Sequence, residues 1–138
     1  MPPVDLKDRT RSFALSVMSL VEELPRSRSA NVIGYQLLRA GTSVAANYRS
    51  ACRARSRRDF VAKMGIVEEE ADEAQFWLEL IVTGRLVPAE RASKLHDEAG
   101  QLVAITVSSI RTARGARSGI PHSAFRIPHL SVRNPQCS

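Results

Sequence analysis

One spacing constrains this chain more than any other feature. From Leu6 to Arg114 apolar side chains recur three or four residues apart in four successive runs, the period of an α-helix that buries one face. The first run covers about Leu6 to Leu24 and carries Phe13, Val17, Leu20, Val21 and Leu24 on one stripe, with Pro25 as its stop. The second opens near Ser29, an N-cap residue type, and holds Ile33, Leu37, Ala40, Val44, Tyr48 and Ala51 on one face for about five turns. Gly34 and Gly41 weaken its helix propensity, and small residues there admit a neighbouring helix at close range.

The third run begins at Ser56-Arg57-Arg58-Asp59, a Ser with an acid three residues on, close to a capping box. Its stripe is Phe60, Met64, Val67, Ala71, Ala74, Leu78 and Ile81, and Gly84 is the residue type expected just past a helix end. The fourth opens at Pro88, a favourable first helical position, and continues through Leu95, Ala99, Leu102, Val103, Thr106 and Ile110. Connections of a few residues make sequential helices antiparallel neighbours. The expectation is an all-α protein: an antiparallel up-down four-helix bundle over residues 1–114, followed by a flexible, disordered basic C-terminal tail over 115–138.

Charge is distributed unevenly along the chain. The formal net charge is +6, yet residues 1–110 hold 15 basic and 14 acidic side chains. Residues 111–138 add Arg111, Arg114, Arg117, Arg126 and Arg133 without an acid. Within the body, the stretch from Arg49 to Arg58 holds Arg49, Arg53, Arg55, Arg57 and Arg58 with no acid until Asp59, and Glu68, Glu69, Glu70, Asp72 and Glu73 follow as a block. Guanidinium groups bind phosphate in a fork, so the arginine run is the candidate nucleic-acid-binding site, for RNA or DNA. No aromatic residue interleaves with it, which disfavours stacking on single-stranded bases. A second reading is structural: a basic run suits a helix C-terminus, and it can pair with the acidic block of a neighbouring subunit.

Several classes are disfavoured. No stretch reaches the ~20 apolar residues of a membrane span, and Met1–Phe13 lacks the apolar core of a signal peptide, so a cytoplasmic location is expected. Cys52 and Cys137 form no CxxC or Cys/His cluster, and Cys52 reads as a small apolar filler. Glu-x-x-His pairs, which a di-metal bundle requires, are absent, as are phosphate-loop and hydrolase patterns. Neither a metal, a cofactor nor a catalytic residue is expected. Arg39, Ser43 and Asn47 recur every four residues beside the apolar stripe of the second helix, as a polar network fixing register.

One stretch does not suit an isolated bundle. Phe76-Trp77-Leu78-Glu79-Leu80-Ile81-Val82 is apolar nearly all round, and at 100° per residue Phe76 and Leu80 fall opposite the core stripe, with Trp77 on its flank. Phe76, Trp77 and Leu80 are therefore the expected homo-oligomer interface. The bland alternative is scattered exposed apolar residues, which every protein carries.

The segment Gln36-Leu-Leu-Arg-Ala-Gly-Thr-Ser-Val-Ala-Ala-Asn47 resembles a bacterial four-helix-bundle family. So do Asp59-Phe60 with Lys63, then Glu69-Glu70-Ala71-Asp72-Glu73 and Phe76-Trp77-Leu78-Glu79-Leu80. That family includes proteins encoded in 23S rRNA intervening sequences, and it is related to the accessory variability determinant proteins of diversity-generating retroelements. The resemblance covers about residues 5–114. It implies a ring-like homopentamer of helical bundles and, by analogy with the retroelement relatives, nucleic-acid binding beside a reverse transcriptase partner. By position, Arg39, Ser43 and Asn47 match the polar residues of the family's second-helix motif, and Glu70, Glu73 and Glu79 match acids of its third. The family's acid shortly after the Asn47 position is missing here, where the chain reads Asn47-Tyr48-Arg49-Ser50-Ala51.

The tail holds a near repeat, Ile120-Pro-His-Ser-Ala-Phe-Arg126 followed by Ile127-Pro-His-Leu-Ser-Val-Arg133. It reads either as a docking element with apolar and basic anchors or as a duplicated extension without a fixed role.

Overall fold

The computed structural model describes residues 5–115. The tail from residue 116 onward, with its repeat and Cys137, lies outside the described residues. Four helices follow one another: α1 (Leu6–Glu22), α2 (Arg28–Ala51), α3 (Arg57–Thr83) and α4 (Ala89–Gly115). Each packs antiparallel to the next, and α1 closes against α4 along the least extensive of the four seams. The fold is the four-helix bundle that the periodicity predicts.

Local chemistry sets the helix starts. Asp5 caps α1, its Oδ1 accepting the backbone N–H of Lys7 at 3.0 Å. Ser27, not Ser29, caps α2 by accepting the N–H of Ala30 at 3.2 Å. Starting at Arg28 turns Ala30 inward to the core, and Ser29 is absorbed into the first turn. At α3 the Ser56 hydroxyl accepts the N–H of Asp59 at 3.0 Å. The return half of the box is displaced by one residue, because Asp59 Oδ2 accepts the N–H of Arg55 at 3.2 Å and a Lys63 ammonium proton at 2.8 Å.

The end of α3 is a Schellman turn with an unexpected residue in it. Leu86 N–H donates to Ile81 O at 3.1 Å, and Arg85 N–H donates to Val82 O at 3.2 Å. Gly84 keeps a right-handed conformation, while Arg85 takes the left-handed one at φ 54°. The glycine thus sits one position before the place where its freedom is needed.

One continuous core runs through the bundle, built from Phe13, Val17, Leu37, Val44, Tyr48, Met64, Val67, Leu78, Ile81 and Leu102 among others. Each such fully buried side chain supplies about 1.5–3 kcal/mol, set against the entropy of ordering it. The small residues of α2 do what the sequence suggests. A Cβ on Gly41 would stand 2.9 Å from both γ-carbons of Val17, and one on Gly34 would stand 2.8 Å from Leu24 Cδ1. These contacts place α1 directly on the glycine face of α2. On the far side, Gly100 of α4 lies equally close to the Gln75 side chain of α3. Among the described residues, no helix is long and apolar enough to cross a membrane.

Candidate nucleic-acid interface

The five arginines of the candidate site do not lie on one helix. Helix α2 ends at Ala51, so Arg49 occupies its last turn, Arg53 and Arg55 belong to the turn that follows, and Arg57 and Arg58 open α3. The spacing of four that joins Arg49, Arg53 and Arg57 in the sequence is therefore broken between two helices. Arg49, Arg53, Arg55 and Arg58 are exposed, and among the described residues none of the five forms an ion pair. Arg57 is half-buried, and its Nη1 is enclosed without a hydrogen-bond acceptor.

The turn brings further cations beside these. A surface depression between α2 and α3 is lined by Arg49, Arg53, Arg55 and Lys63, with Asp59 as its acid. A second depression, between α1 and α2, shares Arg49 and Arg53 and adds Lys7 and Arg11. Helix α4 contributes as well. Its antiparallel register against α3, set by Gly100 beside Gln75, carries the exposed Arg111 and Arg114 to the first turns of α3. One end of the bundle thus gathers cations from all four helices. Lys7 and Arg11 carry no local sequence signal of this role, because only the antiparallel return of α2 sets them beside Arg49.

Two acids of the acidic block, Glu70 and Glu73, are paired inside the subunit. Arg39 Nη1 donates to Glu70 Oε2 at 3.3 Å, its Nη2 donates to Glu73, and its Nε donates to Gln36 Oε1 at 3.2 Å. Trp77 Nε1 donates to the same Glu73 oxygen at 3.0 Å. The Trp77 indole and then Arg39 hold the Glu73 carboxyl below its ordinary range, and Glu73 in turn raises Arg39 above its own. Lys63 and the Arg55 N–H similarly lower the Asp59 carboxyl.

The polar line of α2 divides. Arg39 reaches across to α3, whereas Asn47 Nδ2 donates to the backbone carbonyl of Ser43 at 2.8 Å within its own helix. Arg39, Ser43 and Asn47 are all half-buried and do not form one side-chain network. Cys52 is buried. Tyr48 is completely buried, and its hydroxyl is pushed above its ordinary pKa by desolvation.

At the other end of the α2–α3 face the apolar residues collect. Phe76 is 47% exposed and meets Trp77 edge-on at a centroid distance of 5.0 Å, and Leu80 is half-buried beside them. Arg39 stands level with Glu70 and Glu73, so Val32 and Tyr35, one to two turns earlier on α2, stand level with Phe76 and Leu80. Val32 is 60% exposed and Tyr35 65%. Sequence reasoning missed both, although each falls off the core stripe of α2.

The model of the 23S rRNA-intervening sequence protein family matches residues 4–108. The chain belongs to this family. A crystal structure of a protein of unknown function from the S23 ribosomal protein family of Bacteroides thetaiotaomicron has 32% sequence identity to it. The TM-score is 0.72, and the match covers 77% of this chain and 98% of that one. No curated protein matches the chain. Membership in the 23S rRNA-intervening sequence protein family agrees with the resemblance carried by the Gln36–Asn47 and Glu69–Leu80 motifs.

Proposed function

We propose that this member of the 23S rRNA-intervening sequence protein family is a non-enzymatic homo-oligomeric adaptor that binds nucleic acid through its phosphate backbone. Arg49, Arg53, Arg55, Arg57 and Arg58 carry the contact. The single observation behind this reading is where Arg57 and Arg58 stand. Both occupy the first turn of α3, at the positive end of the helix dipole, where a cation costs about 0.3–1 kcal/mol. The dipole accounts for a basic residue at the end of α2 but opposes these two. Cations kept against a local cost, directly after the turn that holds Arg53 and Arg55, suit a polyanion.

The competing reading pairs the arginines with the acidic block of a neighbouring copy. Arg39 already engages Glu70 and Glu73, which leaves Glu68, Glu69 and Asp72 for that purpose. Self-association rests instead on the apolar face of Phe76, Trp77 and Leu80, with the pentamer implied by the family resemblance. A ring would repeat each weak phosphate contact and raise avidity.

The test is retention on RNA or heparin with the oligomer monitored by light scattering. Changing the five arginines to Ala should abolish retention at physiological salt and leave the subunit number unchanged. Unchanged retention rejects the site, and dissociation of the oligomer favours the pairing reading.

A further inference from the structure

We infer that the ligand of this basic surface is a double helix, held on two sides of the Arg49–Arg53 ridge, with Lys7 and Arg11 of α1 as its second set of contacts. The inference rests on the phosphate-binding reading above and adds the form of the nucleic acid.

Three observations carry it. First, the two depressions share Arg49 and Arg53 and diverge from them, one toward Arg55 and Lys63 of the α3 side, the other toward Lys7 and Arg11 of α1. Cations on both flanks of a ridge match a ligand that presents two rows of phosphates. Second, no aromatic side chain lines either depression. Phe13, Tyr48 and Phe60 are buried in the core, and the exposed aromatics Tyr35 and Phe76 stand toward the opposite end of the α2–α3 face. A single strand gains affinity by stacking its bases on such rings and gains none here. A duplex keeps its bases inside and loses nothing. Third, the residues between the cations are small, namely Ala45 and Ala46 on one side and Ala46 and Ser50 on the other, so a broad backbone can approach the helix surface.

Two local acids do not neutralise the α1 contacts. Asp8 lies 3.9 Å from Arg11 in an exposed pair, which is worth little. Asp5 is committed to capping the N-terminus of α1.

The experiment measures fluorescence anisotropy of the full chain with a 20-base-pair RNA duplex, the matching DNA duplex and an unstructured 20-nucleotide single strand. Salt is varied throughout. Variants are Lys7→Gln with Arg11→Gln, and separately Arg49→Gln with Arg53→Gln, each checked for unchanged helicity and subunit number. The α1 pair should weaken duplex binding about tenfold and lower the magnitude of its log–log salt slope by about 2, at roughly 0.9 per lost phosphate contact. The same pair should change single-strand binding less than about twofold, while the Arg49/Arg53 pair should weaken both. RNA and DNA duplexes responding alike identify the shared backbone as the ligand, and a response confined to one assigns the site to that duplex. Equal losses for duplex and single strand, or an unchanged duplex slope, overturn the double-helix inference while the arginine site stands. Duplex binding untouched by the Arg49/Arg53 pair, or no binding to any probe, overturns the phosphate reading and this inference with it.

Discussion

Val17 stands over Gly41 with both γ-carbons 2.9 Å from where a Cβ would be, and this single contact fixes how closely α1 can approach α2. Valine has no second comfortable rotamer in a helix with which to retreat. Gly41→Ala should therefore destabilise the bundle by about 1–2 kcal/mol, an overpacking cost reduced by the better helix propensity of Ala. Gly34→Ala comes too close only to Leu24 Cδ1, the far end of a flexible side chain, and meets Val21 Cγ1 at an ordinary 3.5 Å. It should fall within about 0.5 kcal/mol of the parent. Urea denaturation of the two variants checks the difference, and equal effects would show that the α1–α2 distance is set elsewhere.

Arg85 bears a left-handed conformation that costs an L-residue roughly 1–2 kcal/mol. Arg85→Gly removes that cost and adds some unfolded-state entropy, for a net gain of about 0.5–1 kcal/mol. The melting temperature should rise by a few degrees. A fall would mean that the Arg85 side chain makes contacts that outweigh the backbone.

Much of this architecture was legible because helix pairing is local. A stripe at 3.6 spacing, a stop at Pro25, a Ser before α3 and a short turn at each end suffice to specify neighbours. The glycines of α2 were readable for the same reason, as positions on a known face. What escaped depends on which residues meet across helices. Nothing in the stretch Leu6-Lys7-Asp8-Arg9-Thr10-Arg11 marks it as a partner of Arg49, since the two are joined only by the return of the chain. Arg39 was legible as a polar neighbour of the core but not as the clamp on Glu70 and Glu73, because its reach exceeds one helix. The spacing of four that joins Arg49, Arg53 and Arg57 does not survive folding, because the turn at Cys52–Ser56 divides it. The left-handed residue fell on Arg85 instead of Gly84 because the turn closes one residue later than the glycine suggests.

The Arg39–Glu73–Trp77 cluster gives the bundle an acid-sensitive joint. Glu73 has a lowered folded-state pKa, so its contribution to stability is fully present above the unfolded carboxyl value, ~4.3, and is lost as pH falls through the lower folded value. Stability should be flat from pH 7 to about 5 and decline below about 4.5. Glu73→Gln should lower stability at pH 7 by about 1 kcal/mol, a modest figure because the site is partly solvated. It should also flatten the acid limb of the curve. Chemical denaturation at pH 7, 5 and 3.5 measures both, and an unchanged acid limb would assign the decline to other carboxylates.

Val32, Tyr35 and Phe76 put three large apolar side chains into solvent on one face, each 47% exposed or more. Monomeric proteins carry single exposed apolar residues freely, whereas several at one level of a bundle suit a contact surface. If a second copy covers it, Phe76→Glu combined with Tyr35→Glu should dissociate the oligomer, because each desolvated carboxylate costs several kcal/mol at a subunit contact. The helical content should stay intact, since neither side chain belongs to the core. Light scattering after size-exclusion chromatography reports the subunit number, and circular dichroism reports the fold. Phosphate binding should weaken in parallel without any change at the arginines, because dispersing the copies removes avidity and leaves each basic surface whole. An oligomer that survives both substitutions would move the interface away from the α2–α3 face, and an unaltered RNA affinity in a dispersed monomer would remove the link between assembly and binding.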